Sequence, residues 1–193
     1  MSDNYVIWKY KHVRSAAILS DAKGLDRVFR LKEGVPLLHE LSGSVTFDMD
    51  PDFPTDLRLL DNMRNIDKLA VTSKRLKEAI EAKQVTDVEY LPVSIIDHKG
   101  RTASSDCFVV HQLNSVDAID RERSVFEMSD IVPEDIDVIQ KLVLDPERIP
   151  RHRHMFRLKN FGELILVRRD LADALSQGGF TGLTWQEIET YPG

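Results

Sequence analysis

Residues 69–90 read LAVTSKRLKEAIEAKQVTDVEY and contain the pattern on which the fold prediction depends. The apolar run at 69–71 is typical of a short strand, and Thr72 or Ser73 can then cap a helix by accepting a hydrogen bond from a free N–H of its first turn. Apolar residues recur beyond this cap at the spacing of one helix face; they are Leu76, Ala79 and Ile80. An extended stretch begins at Val88, so the segment predicts a strand, a helix and a second strand.

Residues 164–185 read LILVRRDLADALSQGGFTGLTW and repeat this pattern at a constant offset of 95 positions, from Leu69 to Leu164. The aligned positions share apolar residues that such a unit must bury, while the charged positions between them differ. We therefore predict an internal repeat, at about residues 62–90 and 157–185, that reflects architecture and not a duplicated active site. The alternative is convergent patterning of two ordinary strand–helix–strand segments.

The other segments predict mainly strands. Tyr5–Tyr10 is rich in aromatic and β-branched residues, and the turn signal at 97–100 predicts an antiparallel hairpin over 88–113. Shorter strands are predicted at residues 45–47, 139–144, 155–158, 164–167 and 183–188. Residues 114–137 are predicted as an acidic, partly helical connector, and Gly178 as the left-handed C-cap of the second helix.

The predicted fold class is α+β (mixed α/β), with two strand–helix–strand units and additional antiparallel hairpin strands. Residues 1–60 are expected to form an N-terminal strand and an irregular region. Residues 61–193 are expected to hold the α+β domain, and the whole chain is expected to form one compact unit. A chain of 193 residues can bury a sizeable core without a disulfide or a metal.

The amino-acid composition argues against several classes of protein, namely disulfide-bonded, secreted, membrane-inserted and nucleic-acid-binding proteins. Cys107 is the single cysteine, so an internal disulfide is excluded, and the polar start of the chain lacks the basic residues of a signal peptide. No apolar run approaches the roughly 18 residues that span a bilayer. The net charge of −6 argues against nucleic acid as the main partner. We expect a cytoplasmic protein that binds neither membrane nor nucleic acid and requires no cofactor.

Three features resemble catalytic or ligand sites, and each has a simpler interpretation. His152 and His154 lie two positions apart and could share a metal on a strand, but they sit in a basic run typical of a solvated loop. Cys107 adjoins apolar residues, as a small buried side chain does. The glycines at 178–182 close a helix, whereas a phosphate loop opens one. The chain is therefore predicted not to be an enzyme.

The main charge feature is an acidic segment between the two predicted repeats. Only Arg121 and Arg123 oppose its eight carboxylates, so its local net charge equals that of the whole chain. The carboxylates belong to Asp117, Asp120, Glu122, Glu127, Asp130, Glu134, Asp135 and Asp137. The segment is either a solvated surface connector or a docking surface for a basic partner.

The order of several short motifs resembles an immunity-protein family of bacterial polymorphic toxin systems, immunity protein family eleven. The motifs are VTSKRLKEA at 71–79, VEYLPV at 88–93, ERS at 122–124, LVLDPERIP at 142–150, HMFRL at 154–158 and TGL at 181–183. The resemblance covers roughly residues 60–188. It departs at Arg168 and Arg169, where the family more often has a capping serine.

The resemblance implies a cytoplasmic protein that binds and neutralises a cognate toxin, often of the nuclease type. It assigns no individual functional residues. Two alternatives from other classes stay open: a metal-dependent enzyme that uses the His152/His154 region, and an adaptor for a secreted effector that does not inhibit it. The oligomeric state is not predicted.

Overall fold

The structure, a computed structural model, describes residues 4–25, 28–40 and 44–192. Strands predominate over helices in these ranges, so the protein has a mostly-β α+β fold. The strands are β1 (Tyr5–Tyr10), β2 (Leu19–Lys23), β3 (Val45–Met49), β4 (Asn62–Met63), β5 (Val71–Ser73), β6 (Val88–Ile96), β7 (Thr102–Gln112), β8 (Val125–Met128), β9 (Ile136–Lys141), β10 (Met155–Leu158), β11 (Phe161–Arg168) and β12 (Leu183–Glu187). The helices are α1 (Arg30–Glu33), α2 (Lys74–Glu81) and α3 (Arg169–Gln177). None of the helices in the described ranges is long and apolar enough to cross a membrane.

Both segments that share the apolar pattern fold as strand, helix and strand. The first comprises β5, α2 and β6, and the second comprises β11, α3 and β12. Ser73 caps α2, because its Oγ accepts a hydrogen bond from the N–H of Leu76 at 3.3 Å. At the start of α3, an oxygen of Asp170 accepts the N–H of Leu171 at 2.8 Å. Each helix buries one apolar face, including Leu76 and Ile80 in α2.

The smaller sheet has the strand order β10-β11-β1-β12 and is antiparallel throughout. Trp8 of β1 lies opposite Trp185 of β12, and the two rings meet edge to face with 5.5 Å between their centroids. Because β1 is antiparallel to both neighbours, β11 and β12 run parallel to each other on either side of it. The predicted strand at Tyr5–Tyr10 is confirmed as one of the two inner strands of this sheet.

The larger sheet has the order β2-β3-β6-β7-β5-β4. β3 and β6 pair in parallel, whereas the other neighbours are antiparallel. The predicted hairpin at 88–113 is confirmed as β6 and β7, with the N–H of Gly100 donating to the carbonyl of Asp97 at 2.9 Å in the connecting turn. β5 and β6 therefore run parallel on either side of β7.

Alternating side chains divide the core into three apolar clusters. The central cluster joins the facing sides of the two sheets to α2 and α3, and β1 contributes Val6 and Trp8 to it. Tyr5 and Ile7, on the opposite face of β1, pack against residues 116–149 in the second cluster. The third cluster covers the outer face of the larger sheet. The smaller sheet is consequently buried on both faces.

The segment predicted as a partly helical connector is not helical, and this prediction is wrong. Residues 114–137 contain turns, strand β8 and the beginning of β9. Phe126, Ile136 and Ile139 pack into the second cluster, and this burial fixes extended backbone in spite of the many carboxylates. The strand predicted at 139–144 accordingly begins earlier, at Ile136.

The prediction for Gly178 is also wrong, since its φ is −75° and the left-handed residue is Gly179, with φ 60°. Glycine is needed at 178 for a different reason: an added Cβ would lie 2.3 Å from the ring of Phe180.

The bounds of two predicted strands also differ from the structure. The first predicted strand, at 69–71, is displaced and forms at Val71–Ser73. Ile188 lies just beyond β12, in a single 3-10 turn.

Asp61 joins the start of α2 to the turn after α3. Its carboxylate accepts hydrogen bonds from Ser73 Oγ at 2.7 Å and from the Arg75 guanidinium at 2.7 Å. It also accepts the backbone N–H and the side-chain hydroxyl of Thr181, each at 2.8 Å. Burial alone would raise the pKa of Asp61, but the hydrogen bonds from Arg75, Thr181 and Ser73 together lower it well below its usual range.

Removing one side chain from the central cluster is expected to lower the free energy of unfolding strongly. Leu76→Ala should lower the free energy of unfolding by about 2–5 kcal/mol, because it removes a fully buried side chain and leaves a cavity. Glu78→Ala, on the exposed face of the same helix, should change it by less than about 0.5 kcal/mol. Urea denaturation measures both values. Similar losses for the two variants would contradict the assignment of the buried face.

The hydrogen bonds of Asp61 are expected to make the stability of the fold depend on pH in the acidic range. Its pKa in the folded protein lies below the value of about 4 that an unfolded aspartate has. Its stabilising contribution is therefore complete above that pH and is lost as the pH falls through the lower, folded-state pKa. Asp61→Asn should make the free energy of unfolding fall less steeply below about pH 5 than in the wild type, as measured by urea denaturation at successive pH values. Asp173→Asn, at an exposed position of α3, is the control and should keep the wild-type slope.

Candidate partner-binding surface

Strands β8 and β9 form a two-stranded antiparallel sheet of their own, in which Phe126 lies opposite Ile139 and Met128 opposite Ile136. This hairpin covers part of the outer face of the smaller sheet, where Ile136 and Ile139 are buried in the second cluster. Phe126 packs against the same cluster, whereas the remaining side chains of the two strands are exposed. The hairpin therefore presents a solvent-facing surface on a buried base.

The eight carboxylates predicted to bind a partner fall into two groups along this region. Asp117, Asp120 and Glu122 precede β8, and Asp120 is half-buried. The others lie on the hairpin; they are Glu127 in β8, Asp130, Glu134 and Asp135 in the turn, and Asp137 in β9. All of the hairpin carboxylates are exposed.

Three of the eight carboxylates are engaged within the protein. Asp117 pairs with Arg148 at 3.4 Å. Asp120 accepts the N–H groups of Glu122 and Arg123 at 3.1 and 3.0 Å, so it stabilises a local turn. Glu127 accepts a hydrogen bond from Gln140 on the neighbouring strand at 2.7 Å. These contacts give Asp117, Asp120 and Glu127 structural roles.

The turn carboxylates lack such contacts. Across residues 4–25, 28–40 and 44–192, no side chain forms a hydrogen bond or an ion pair with the carboxylates of Asp130, Glu134, Asp135 or Asp137. Residues 129–137 contain these four acids and neither lysine nor arginine. The turn is consequently a concentrated, uncompensated negative charge, which attracts a cationic surface.

Hydrogen bonds hold the backbone of this turn in one conformation. Ser129 Oγ accepts the N–H groups of Ile131 and Val132, each at 3.3 Å. The N–H of Asp135 donates to the carbonyl of Val132 at 2.8 Å, and the N–H of Ser129 donates to the carbonyl of Asp135 at 2.9 Å. The N–H of Ile136 donates to the carbonyl of Asn160 at 2.8 Å, which ties the turn to the smaller sheet. The acidic side chains therefore project from an ordered scaffold.

The same hairpin exposes apolar side chains that sequence reasoning missed. Ile131 is 89% exposed and Val132 is 47% exposed, at the tip of the turn. Val125, Met128 and Val138 are also largely exposed on the two strands. A pair of aliphatic residues between acids in a proline-containing turn was the available sequence signal, because such a turn has no core to enter. Clustered exposed apolar side chains are typical of a protein-binding surface.

The basic run at 151–154 is only partly a solvated loop. Arg153 is buried, donates to the carbonyl of Leu113 at 3.0 Å and lies 3.4 Å from the carboxylate of Asp87. His152 lies 3.7 Å from the same carboxylate. Within the described ranges, no three histidine, cysteine, aspartate or glutamate side chains are grouped as a metal site. Among the described residues, no group of three such side chains adds further ligands to His152 and His154 for the hypothetical metal site.

The remaining two candidate features have structural roles. Cys107 is buried, and burial raises the pKa of its thiol, which disfavours the reactive thiolate. The carbonyl oxygens of Gly178 and Gly179 accept hydrogen bonds from the Arg75 guanidinium at 3.1 and 3.3 Å. This glycine-rich turn therefore binds a cation of the protein itself through its carbonyl groups.

Comparison with known protein families gives a match. A family model described as the immunity protein family (Imm11) matches residues 3–190. The match includes the N-terminal third, which the motif resemblance at 60–188 left out. No curated protein matches the sequence. Since the family model covers nearly the whole chain, the chain belongs to the immunity protein family (Imm11).

Proposed function

We propose that this protein binds a cognate bacterial toxin stoichiometrically and neutralises it without catalytic turnover. Family membership supports a toxin-neutralising immunity role in general. The observation that carries the specific proposal is the set of four carboxylates at 130–137, which are exposed and unpaired in the part of the chain that the structure describes. A partner with a basic surface compensates this charge on binding.

The charge of the turn favours a nuclease as the toxin. A nuclease must bind phosphate groups, so its active face carries lysine and arginine. Carboxylates held on an ordered turn can occupy that face in place of phosphates, and water exclusion strengthens the resulting charge-assisted hydrogen bonds. Asp130, Glu134 and Asp135 are the residues that we assign to this contact, with Asp137 beside them.

We place this inhibition in the cytoplasm, which is where a toxin that cleaves nucleic acid reaches its substrate. The sequence is compatible with that compartment, because its single cysteine is buried and does not depend on an oxidising environment.

We also propose that the two strand–helix–strand units are structural repeats within one compact unit. Support comes from corresponding strand orders: β4-β5-β7-β6 in the larger sheet and β10-β11-β1-β12 in the smaller sheet. In the larger sheet, β7 lies between β5 and β6, which are parallel to each other and joined by α2. In the smaller sheet, β1 lies in the same way between β11 and β12, which are joined by α3. The β8–β9 hairpin lies between the repeats in sequence and, like β2 and β3, has no counterpart in this correspondence.

Charge reversal at the turn tests the proposed contact. The triple variant Asp130→Lys, Glu134→Lys and Asp135→Lys should weaken binding to the toxin encoded beside this gene by about 100-fold or more, because it replaces attraction with repulsion. Isothermal titration calorimetry measures the affinity. Rescue of growth on co-expression with the toxin measures neutralisation and separates an inhibitor from an adaptor, since only an inhibitor rescues growth.

A matched control keeps the change in net charge constant. Asp52→Lys, Asp106→Lys and Asp173→Lys reverse three exposed carboxylates outside the hairpin. This variant should bind within about threefold of the wild type, because long-range charge effects are screened at physiological salt. Wild-type affinity in the hairpin variant would remove this surface from consideration.

A further inference from the structure

A groove runs between the β8–β9 turn and α1, with a volume of about 550 Å3. Ile131 and Val132 form one wall, and Phe29, immediately before α1, lies on the other side. Leu158 and Phe161 of the smaller sheet lie at its base and are buried. The groove therefore combines an apolar floor that belongs to the core with apolar walls that face solvent.

The walls are unusually exposed for side chains of their size. Phe29 is 57% exposed, and the exposed fraction of Ile131 is higher still. Burying such side chains under a partner removes apolar surface from water and contributes directly to binding. Large apolar side chains at a rigid concave site are the kind of contact that dominates the affinity of protein interfaces.

Two features fix the shape of the groove. An added Cβ at Gly162 would lie 2.7 Å from the carbonyl oxygen of Lys32, so glycine at this position lets α1 approach β11 closely. Glu163 of β11 then pairs with Lys32 of α1 at 2.6 Å and with Lys68 at 2.6 Å. Burial would raise the pKa of Glu163, but the hydrogen bonds from both lysines lower it, so the bridge stays ionised at neutral pH. The opposite wall is held by the hydrogen bonds around Ser129.

The rim of the groove is acidic. Its lining includes four carboxylates, those of Glu33, Asp135, Asp137 and Glu163, and two lysines, Lys32 and Lys159. Glu163 is already neutralised by its two lysine partners, whereas Asp135 and Asp137 are unpaired across the described residues. An apolar side chain that enters the groove is therefore best accompanied by lysine or arginine.

We propose that this groove receives an apolar anchor side chain, aromatic or long aliphatic, which the cognate toxin presents between basic residues. The proposal rests on the toxin-binding function proposed above and divides it into two contacts. The turn carboxylates accelerate association with a basic surface, and the groove then holds the anchor and slows dissociation.

The negative charge around the groove disfavours a second copy of this chain as its occupant. A symmetric dimer places the same patch on both sides of the interface, so the carboxylates at 130–137 of one copy would face those of the other. Like charges across an interface disfavour association. A toxin with a basic surface meets no such repulsion.

The test uses the full chain and the purified toxin encoded beside the gene. The double variant Ile131→Ser and Val132→Ser should raise the dissociation rate by about 30-fold or more and change the association rate by less than about threefold, as measured by surface plasmon resonance. Leu57→Ser is the control, since Leu57 is 54% exposed and lies outside the groove. It should leave both rates within about twofold of wild type. Thermal unfolding of the free variants checks that both retain the fold.

The outcomes separate the two proposals. Unchanged dissociation from the groove variant, combined with slower association for the charge-reversal variant, overturns the groove and leaves the proposed function standing. Failure of the wild-type chain to bind the toxin overturns both. Analytical ultracentrifugation of the free protein completes the test. If the wild type is a dimer and the groove variant is a monomer, a second copy of this chain occupies the groove and the proposal is overturned. A monomeric wild type supports the proposal.

Discussion

Burial of the four-stranded sheet on both of its faces is the constraint on which the rest of the structure depends. Strand β1, one of the two inner strands, directs Val6 and Trp8 into the central cluster and Tyr5 and Ile7 to the opposite side. A sheet that is apolar on both faces must be covered twice, because leaving either face in water forfeits the hydrophobic contribution of its side chains. Helices and the larger sheet cover one face, and residues 116–149 cover the other. The candidate binding hairpin is part of that second cover.

This arrangement lets one hairpin combine stability with the binding role proposed for it. Phe126, Ile136 and Ile139 attach it to the sheet. The pairing of β8 and β9 is irregular, with register shifts after Val125 and after Glu127, and the side chains of Val125, Met128 and Val138 stay exposed. A rigid base reduces the conformational entropy that binding must overcome, so the exposed acids and aliphatic residues are presented in an ordered form.

Sequence patterns predicted the elements whose side chains follow a regular period. Leu76 and Ile80 marked the buried face of α2, and the turn at 97–100 marked the hairpin of β6 and β7. The eight candidate carboxylates could be selected from the sequence, but their separation into engaged and unpaired groups depends on Arg148 and Gln140, which local sequence does not relate to them. The helical interpretation of 114–137 failed because tertiary burial of Phe126 and Ile139 outweighed local composition.

Burial of charged residues was not predictable either. Arg157 occupies an apolar position of β10, where its guanidinium donates to the carbonyl oxygen of Gly162 and burial lowers its pKa to about 10. Arg153 is buried beside Asp87. Arg153 and Arg157 therefore contribute little positive surface, because they donate to backbone carbonyl groups that only the folded chain brings together. Arg148, Arg151 and Lys159 in the same part of the sequence stay exposed.

The position of β1 has a consequence for the synthesis of the protein. Tyr5 pairs with Arg168, and Val6 pairs with Glu187, so β1 leaves the ribosome long before either of its partner strands. At about 5–20 residues per second, on the order of ten seconds or more separates β1 from its neighbours. During that interval the four-stranded sheet is absent, and the hairpin that packs on its outer face has no support. A newly made chain thus acquires the proposed binding surface only late in its synthesis, after the sheet beneath the hairpin has formed.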